Sequence, residues 1–383
     1  MKYLSYYDTA ANKAENRGFV LAATNKMDYI CSALNRMGYP VEIISASGTR
    51  NKKGCPGKEV RISDKTVLKL FPCLGTGILP KRLLGRFLIR AQIFLDLLTN
   101  TRKGENVLVY HSLGYAGTVA LARKIKKFRL ILEVEEIYAD VNGREEDRRK
   151  EYGIFSAADA YLFPTELLNQ KINTRNKPYV LIHGTYQEEP DRKCNLFGDG
   201  LQSEKQQKIH CVYAGTFDPR KGGAVAAAAA AEFLPENYHI HILGFGNDAE
   251  KKRMQDLIAE LASKCACGIS YDGLLSGEDY IRFIQSCHIG LSTQNPDAAF
   301  NATSFPSKIL SYMANGLQVV SIRIPAIEGS AIGEYMHYYD VQSPEEIAKA
   351  IMKVDMTDPH DGRKIISELD REFRRNMREL LEG

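Results

Sequence analysis

Residues Thr303–Ser321 read TSFPSKILSYMANGLQVVS, and this stretch decides the fold prediction. Pro306 predicts the first turn of a helix, Gly316 predicts its end, and the apolar run Leu317–Ile322 predicts a following strand. The first amides of a helix have no partner inside the helix, and Lys308 adds a positive charge to that turn. The stretch therefore predicts an anion site, such as one for a diphosphate.

A second anion site is predicted upstream, in the segment Val212–Gly223, VYAGTFDPRKGG. A predicted strand, Ile209–Ala214, ends at Gly215, and a charged loop containing Lys221 then leads to Gly222 and a helix rich in alanine. Glycines at such a turn let backbone amides approach a phosphate closely, and a lysine supplies a point charge. The same residues also fit an ordinary strand-to-helix turn with solvated charges.

Strands and helices alternate along the chain, which predicts an α/β protein with doubly wound parallel sheets. A chain of 383 residues is expected to divide into two domains of about 180 residues each. The predicted boundaries are a first Rossmann-like domain at 1–185, a linker at 186–208, a second Rossmann-like domain at 209–355 and a final helical segment at 356–383.

The C-terminal half resembles the nucleotide-sugar-binding half of a GT-B glycosyltransferase, and most of all glycosyltransferase family 4. The residues that carry the resemblance extend over 209–322 and are Lys221-Gly222, His239–Gly246, Tyr271–Gly273, and Tyr312–Gly316 before Gln318–Val320. The resemblance implies two Rossmann-like domains facing a cleft, with the C-terminal helix crossing back to the first domain. It also implies a nucleotide diphosphate sugar as donor substrate, no cofactor, and retention at the anomeric carbon.

The chain departs from the family pattern at three positions. The family commonly has two glutamates where this chain has Thr303 and Ser311, and an arginine where it has Thr216. The chain instead resembles a variant subgroup, common among bacterial polysaccharide enzymes, with Pro-Ser-Lys at the helix start. In that subgroup Ser307 and Lys308 would take over the phosphate contacts.

The resemblance assigns the donor side residue by residue, although simple turns would explain several of these loops equally well. The predicted diphosphate contacts are Gly215, Thr216, Lys221, Gly222, Ser307 and Lys308. The predicted contacts to the nucleotide or donor sugar are Gly244, Gly246, Gly273, Leu274, Leu275, Asn301, Thr303 and Ser304. Two lysines and a helix dipole can stabilise a leaving diphosphate, and no Asp-x-Asp ends a strand, so no metal is expected.

Acceptor and catalytic residues are expected at the ends of strands in the first half, where open α/β sheets bind ligands. His111 follows the predicted strand Val107–Tyr110, and Glu135 and Glu136 follow the next one, so these three are the catalytic candidates. Arg17 and Gly18 resemble the family's acceptor loop. The alternatives are a structural histidine, solvated carboxylates and an ordinary loop.

The segment Leu79–Thr99 combines apolar residues at helical spacing with four cations near its start. Such a helix can lie on an anionic membrane, or it can pack on the first domain's sheet. The net charge of +4 is too small to indicate nucleic-acid binding, and it fits acidic substrates or anionic lipid. No apolar run approaches the ~20 residues of a spanning helix. We therefore expect a cytoplasmic protein with possible contact at the inner face of the membrane.

Together these patterns predict a metal-independent, hexosyltransferase-like enzyme of surface polysaccharide biosynthesis. Its acceptor would be a saccharide or a polyprenyl-linked saccharide. One alternative is a non-catalytic GT-B relative that binds a nucleotide sugar or supports a partner enzyme, and a second is a GT-B sugar-nucleotide epimerase.

Overall fold

The computed structural model describes residues 1–192, 196–197, 208–220, 222–298, 301, 303–357 and 361–383. By its internal contacts the chain divides into two compact units. Unit 1 contains Met1–Thr185 together with Arg371–Gly383, and unit 2 contains Tyr186–Asp370. Each unit is an α/β layer structure built on its own sheet.

Unit 1 is built on an eight-stranded sheet with the order β3-β4-β2-β1-β5-β6-β7-β8. Its strands are β1 Lys2–Ser5, β2 Val41–Ser45, β3 Lys58–Ser63, β4 Thr66–Leu70, β5 Asn106–Tyr110, β6 Arg129–Glu133, β7 Ala160–Phe163 and β8 Tyr179–Leu181. Its helices are α1 Leu21–Arg36, α2 Leu79–Thr99, α3 Ala116–Lys126, α4 Tyr138–Asn142, α5 Glu145–Ala157 and α6 Glu166–Ile172. All neighbouring strands are parallel except β3, which runs antiparallel to β4 at the sheet edge.

The central strands of unit 1 are apolar along their whole length because helices cover both faces of the sheet. Val107–Val109 in β5 and Leu130–Leu132 in β6 are completely or almost completely buried. The alternate residues Val107, Val109, Leu130 and Leu132 pack in one core with residues of α3 and α5, such as Val119 and Phe155. This core fixes the carboxyl ends of β1, β5 and β6, where the candidate acceptor residues follow.

Unit 2 is built on a six-stranded, fully parallel sheet with the order β11-β10-β9-β12-β13-β14. Its strands are β9 Ile209–Thr216, β10 Tyr238–Phe245, β11 Gly268–Gly273, β12 Ile289–Ser292, β13 Gln318–Ile322 and β14 His337–Tyr339. Its helices are α7 Gly223–Ala229, α8 Asp248–Lys264, α9 Gly277–Gln285, α10 Lys308–Ala314, α11 Pro325–Glu328 and α12 Pro344–Met352.

The last helix, α13 (Gly362–Glu382), is shared by the two units, since the division falls between Asp370 and Arg371. Its second half belongs to the core of unit 1, where Phe373 and Met377 are buried. The side chain of Asn106 donates to the backbone oxygen of Leu381 at 3.1 Å. The expected return of the C-terminal helix to the first domain is therefore confirmed.

Two local predictions need correction. The helix predicted to open at Pro306 begins at Lys308, because residues 304–306 lie outside regular structure and Ser307 is the N-cap residue. Residues 186–192, predicted as linker, pack within unit 2: the amide of Glu189 donates to the oxygen of Ala314 at 3.1 Å.

None of the helices in the described part of the chain is long and apolar enough to cross a membrane.

Candidate functional site

In unit 2, the strand order reverses between β9 and β12, and this is the position where open α/β sheets bind ligands. The chain leaves β9 through Gly215 and Thr216 and reaches α7 at Gly222, which has a φ of +63°. Glycine adopts such a left-handed conformation without strain, so Gly222 permits the tight turn. Lys221, predicted to contact the diphosphate, lies outside the described residues.

Lys308 and Gly215 lie side by side at this reversal, although they are far apart in sequence. A Cβ at Gly215 would stand 3.0 Å from Lys308 Nζ and 3.0 Å from Tyr213 Oη. The ammonium group lies 3.8 Å from the centre of the Tyr213 ring, in cation–π contact. A side chain at Gly215 would crowd Lys308 Nζ and Tyr213 Oη, so the glycine keeps a backbone without a side chain beside the ammonium group.

Thr293 and Gln294 follow β12 and form the other wall of this reversal. The hydroxyl of Thr293 donates to the backbone oxygen of Gly223 at 2.7 Å, which ties β12 to the start of α7. Gln294 is buried; its Oε1 accepts from Ser292, and its Nε2 has no hydrogen-bond partner among the described residues. A buried amide donor without a partner is costly, and a bound ligand would satisfy it.

The other predicted donor residues surround this point to different degrees. Gly244 pairs with Gly215 in the sheet, and a Cβ on Gly244 would clash with the Gly215 oxygen at 1.9 Å. Asn301 and Thr303 are buried after β12, and Ser304 and Ser307 lie between them and α10. Gly273 ends β11, Gly246 and Leu275 lie in the loops after β10 and β11, and Leu274 is 66% exposed. The structure thus brings together Gly215, Gly222, Gly244 and Lys308.

In unit 1, His111 is buried at the end of β5 and belongs to a hydrogen-bond network. Its Nε2 lies 2.9 Å from Oε1 of the fully buried Glu151, which also accepts from the amides of Tyr138 and Ala139 at 2.7 and 2.8 Å. The imidazole stacks on the Tyr138 ring with 5.1 Å between centroids. His111 Nδ1 has no hydrogen-bond partner among the described residues. This environment favours the structural alternative for His111.

The carboxylates after β6 have distinct environments. Glu133 is fully buried and accepts a hydrogen bond from the Tyr3 hydroxyl, and burial raises its pKa to about 8. Glu135 forms an ion pair with Lys26, whose ammonium also donates to the oxygen of Ile182 at 2.9 Å. Glu136 is partly exposed on the following loop. Of the two predicted carboxylates, Glu135 is thus already engaged by a lysine.

Arg17, predicted to contact the acceptor, is buried and holds loops of unit 1 together. Its guanidinium donates to Glu15 and to the backbone oxygens of Ser47, Phe71 and Pro56 at distances between 2.6 and 3.2 Å. The amide of neighbouring Gly18 donates to the oxygen of Gly48 at 3.0 Å. These contacts account for Arg17 as a structural residue, and its acceptor role stays a prediction.

Sequence reasoning missed Tyr213, Thr293 and Gln294 as parts of the site. They follow or lie within β9 and β12, but their proximity depends on the strand order, which the sequence pattern does not contain. In the described part of the chain, no group of three or more His, Cys, Asp or Glu side chains is arranged to hold a metal ion.

The comparisons with known proteins agree with this architecture. Residues 208–354 match the family model described as glycosyl transferases group 1. A search of curated protein sequences gave no match.

Among solved structures, the sucrose-phosphate synthase from Thermosynechococcus elongatus aligns with a TM-score of 0.70 at 14% identity, over 100% of this chain and 98% of that one. The α,α-trehalose-phosphate synthase (UDP-forming) from Burkholderia xenovorans, in complex with glucose-6-phosphate, aligns with a TM-score of 0.67 at 12% identity. The alignment covers 100% of this chain and 99% of that one. The E. coli trehalose-6-phosphate protein bound with UDP-2-fluoro glucose aligns with a TM-score of 0.66 at 12% identity, over 100% of this chain and 98% of that one. The fold is therefore GT-B, and the similarity to glycosyl transferases group 1 lies within unit 2.

Proposed function

We propose that this protein is a glycosyltransferase that moves a sugar from a nucleotide diphosphate sugar to a saccharide or lipid-linked saccharide. The observation that carries the proposal is the position of Lys308 Nζ against the open backbone of Gly215, at the strand-order reversal of unit 2. A cation beside a backbone that has no side chain is suited to bind a phosphate. The family match over residues 208–354 supports the same donor side.

The proposed chemistry breaks the bond between the anomeric carbon and the diphosphate, and the negative charge that develops stays on the leaving diphosphate. Lys308 would stabilise this charge, together with backbone amides near Gly222 and the side chain of Lys221. The Nε2 of Gln294, which has no hydrogen-bond partner in the described part of the chain, is a further donor for a ligand oxygen. We propose a metal-independent transfer with retention at the anomeric carbon, as the resemblance to family 4 implies.

For the acceptor we propose unit 1, with Glu136 on the partly exposed loop after β6 as the candidate for direct contact. The α2 helix supports a lipid-linked acceptor at the inner face of the membrane. Its apolar residues Leu79, Leu83 and Phe87 are 65%, 54% and 66% exposed, among four cations. We place the reaction in surface polysaccharide synthesis, which is where the subgroup with Pro-Ser-Lys is common.

A second candidate is a non-catalytic relative that keeps nucleotide binding. The family commonly has a glutamate at the position of Ser311. The Ser311 hydroxyl forms a hydrogen bond of 3.1 Å with the hydroxyl of Tyr280, which is a structural contact. This observation favours binding without turnover and makes a separate measurement of transfer necessary.

The test is thermal unfolding with UDP, GDP, ADP, CMP and dTDP, followed by transfer assays with the sugar nucleotide of the base that binds. At about a hundred times its dissociation constant, the correct ligand stabilises the protein by about 2.7 kcal/mol. Lys308→Gln and Gly215→Ala should each weaken this binding roughly tenfold. Lys308→Gln removes the ammonium charge, and the Cβ of Gly215→Ala displaces the ammonium group.

The matched control is Gly117→Ala, because a Cβ at that helical glycine meets nothing within 4 Å. Unchanged binding in Lys308→Gln, or no stabilisation by any of the nucleotides, would contradict the proposed donor site. Binding without transfer from any sugar nucleotide would favour the non-catalytic relative.

A further inference from the structure

We propose that a basic cavity in unit 1 binds the phosphate or diphosphate group of an anionic acceptor. Only the identification of the bound anion as an acceptor substrate rests on the proposed function; the binding of the anion itself does not. The cavity has a volume of about 430 Å³. It lies beside the carboxyl ends of β1, β2 and β5, since Tyr6, Ala46 and Gly114 line it. The strand order of unit 1 reverses around β1, so this is the position at which its sheet is expected to bind a ligand.

One wall of the cavity is formed by the four cations of α2, Lys81, Arg82, Arg86 and Arg90. No aspartate or glutamate is among its lining residues. Within the described residues, none of the four cations forms an ion pair with a carboxylate. Arg90 Nε donates to the backbone oxygen of Gly114 at 2.6 Å and Lys81 Nζ to that of Lys52 at 3.4 Å, so these contacts are to neutral backbone groups.

Four cations on one wall, with no carboxylate among the lining residues, favour a multiply charged anion. Guanidinium groups bind phosphate through paired, charge-assisted hydrogen bonds, which are stronger than neutral ones. A volume of about 430 Å³ holds a diphosphate together with part of a saccharide. The charge count therefore points to a phosphate or diphosphate rather than to a neutral sugar.

The remaining walls fit a polar ligand with an apolar side. The Tyr6 hydroxyl lies over Gly114, where a Cβ would stand only 2.0 Å from it, so the glycine is required for the position of this hydroxyl. Ile89 and Ile93 supply apolar surface on α2. Outside the cavity, the exposed side chains of Leu83 and Phe87 lie on the same helix.

Two sources can present this phosphate chemistry: a sugar phosphate in solution, and the headgroup of a lipid-linked saccharide. Both place the anion against the guanidinium groups of α2. Only the lipid places a hydrocarbon chain or a membrane surface against the exposed apolar residues.

The first experiment titrates inorganic diphosphate by calorimetry in a Lys308→Gln background, so that the donor site binds the probe more weakly. Adding Arg86→Gln and Arg90→Gln should weaken binding at least tenfold, because each guanidinium contributes charge-assisted hydrogen bonds. The control is Arg61→Gln, which removes one exposed charge from β3, outside the cavity. Equal affinity in these two variants would overturn the proposal.

A second pair of variants tests the charge of the cavity without removing an arginine, by introducing two side chains of equal size and different charge. Gly85 lines the cavity in the middle of α2, and the neighbour nearest to a Cβ there is Leu74 Cβ at 3.8 Å. Gly85→Glu should weaken diphosphate binding at least tenfold more than Gly85→Gln. Both substitutions also replace a helical glycine by a better helix former, so folding is not at risk. Equal affinity in the two would overturn the proposal.

The two sources are distinguished with vesicles of phosphatidylcholine, with and without phosphatidylglycerol. A lipid headgroup is identified if the protein binds the anionic vesicles and inorganic diphosphate competes with this binding. The double substitution Arg86→Gln with Arg90→Gln should then weaken the binding to vesicles. Binding of inorganic diphosphate without vesicle binding identifies a soluble phosphate. Binding to neither overturns the proposal. Nucleoside diphosphate binding to wild-type protein is independent of these outcomes, so a failure of the donor site is recognised separately.

Discussion

Glu133 is a carboxyl group whose pKa the fold raises above its ordinary value. It is fully buried at the end of β6, and this burial raises its pKa to about 8, against an opposing effect of nearby Lys26. Its Oε1 has no hydrogen-bond partner among the described residues, while the other oxygen accepts from Tyr3. A buried acid without full hydrogen bonding favours its neutral form.

We expect Glu133 to make unit 1 less stable as the pH rises. Between about pH 4.5 and 8 the folded state keeps a proton that the unfolded state releases, so the free energy of unfolding decreases across this window. Glu133→Gln keeps an acceptor for Tyr3 but does not ionise. In Glu133→Gln the decrease in the free energy of unfolding with rising pH should be smaller by about 2–4 kcal/mol. Urea unfolding at pH 5, 7 and 8.5 measures this.

The control for this prediction is Glu59→Gln, an exposed carboxylate on β3. An unchanged pH dependence in Glu133→Gln would show that Glu133 is ionised in the folded protein.

Single residues differed in how far the sequence predicted their role. Gly215 and Lys308 were identified because a glycine after a strand and a lysine at a helix start are local patterns. Tyr213 and Gln294 were not, because their contacts depend on which strands are neighbours. The position of His111 at a strand end was confirmed, but its burial against Glu151 depends on α5, which the prediction did not contain.

Among the strands and helices, unit 2 concentrates four histidines near the amino ends of β9, β10 and β12. The rings of His210 and His241 stack, with His210 Nδ1 2.9 Å from His241 Nε2, and His241 Nδ1 lies 3.2 Å from Asp272 Oδ2. Phe197 stacks on both rings at 4.3 and 4.4 Å between centroids. The group lies at the end of the sheet opposite to the candidate donor site.

We expect this histidine group to make unit 2 sensitive to acid. Burial, with the neighbouring histidines, lowers the pKa of His210 to about 3, and burial with His241 lowers that of His239 to about 4. The unfolded chain binds these protons near pH 6.5, so stability present above that pH is lost as the pH falls towards 4. His210→Phe should reduce the loss between pH 7 and 5 by about 1 kcal/mol, a value discounted for partial exposure.

Urea unfolding of unit 2 across this range measures the effect, with His337→Phe as the control, because His337 lies outside the group, on β14. Equal acid sensitivity in the two variants would mean that His210 does not carry it.

Regular elements with strong local patterns were predicted within a few residues. The strand predicted at Val107–Tyr110 is Asn106–Tyr110, and the one predicted at Leu317–Ile322 is Gln318–Ile322. The β3–β4 pair was missed because β3 is an edge strand with mostly exposed residues, so it lacks an apolar pattern. The start of α10 was placed two residues early because Pro306, a common first-turn residue, here precedes the N-cap residue Ser307.

The two-unit organisation depends on α13, whose second half completes the core of unit 1. Phe373 is 2% exposed, and its ring centre lies 5.7 Å from that of Tyr29 on α1. The side chain of Arg129 donates to the oxygen of Leu380, and the Tyr39 hydroxyl donates to Glu382 at 2.9 Å. These contacts tie a segment from the end of the sequence to strands and helices from its beginning.

We expect Phe373→Ala to destabilise unit 1 by about 3–5 kcal/mol, because it leaves a cavity in a close-packed core. Glu379→Ala on an exposed position of the same helix is the control and should change stability by less than about 0.5 kcal/mol. Thermal unfolding followed by calorimetry measures both. A similar small effect of the two substitutions would mean that the second half of α13 is not part of the cooperative core.

The divided membership of α13 also has a consequence for biosynthesis. A ribosome makes residues 1–185 first, then all of residues 186–370, and only then the segment 371–383 that fills the core of unit 1. Unit 2 is continuous in sequence and can fold as soon as it emerges. Unit 1 is begun first and completed last, so its nascent form exposes the apolar surface around Tyr29 throughout the synthesis of unit 2, when a chaperone has the opportunity to bind it.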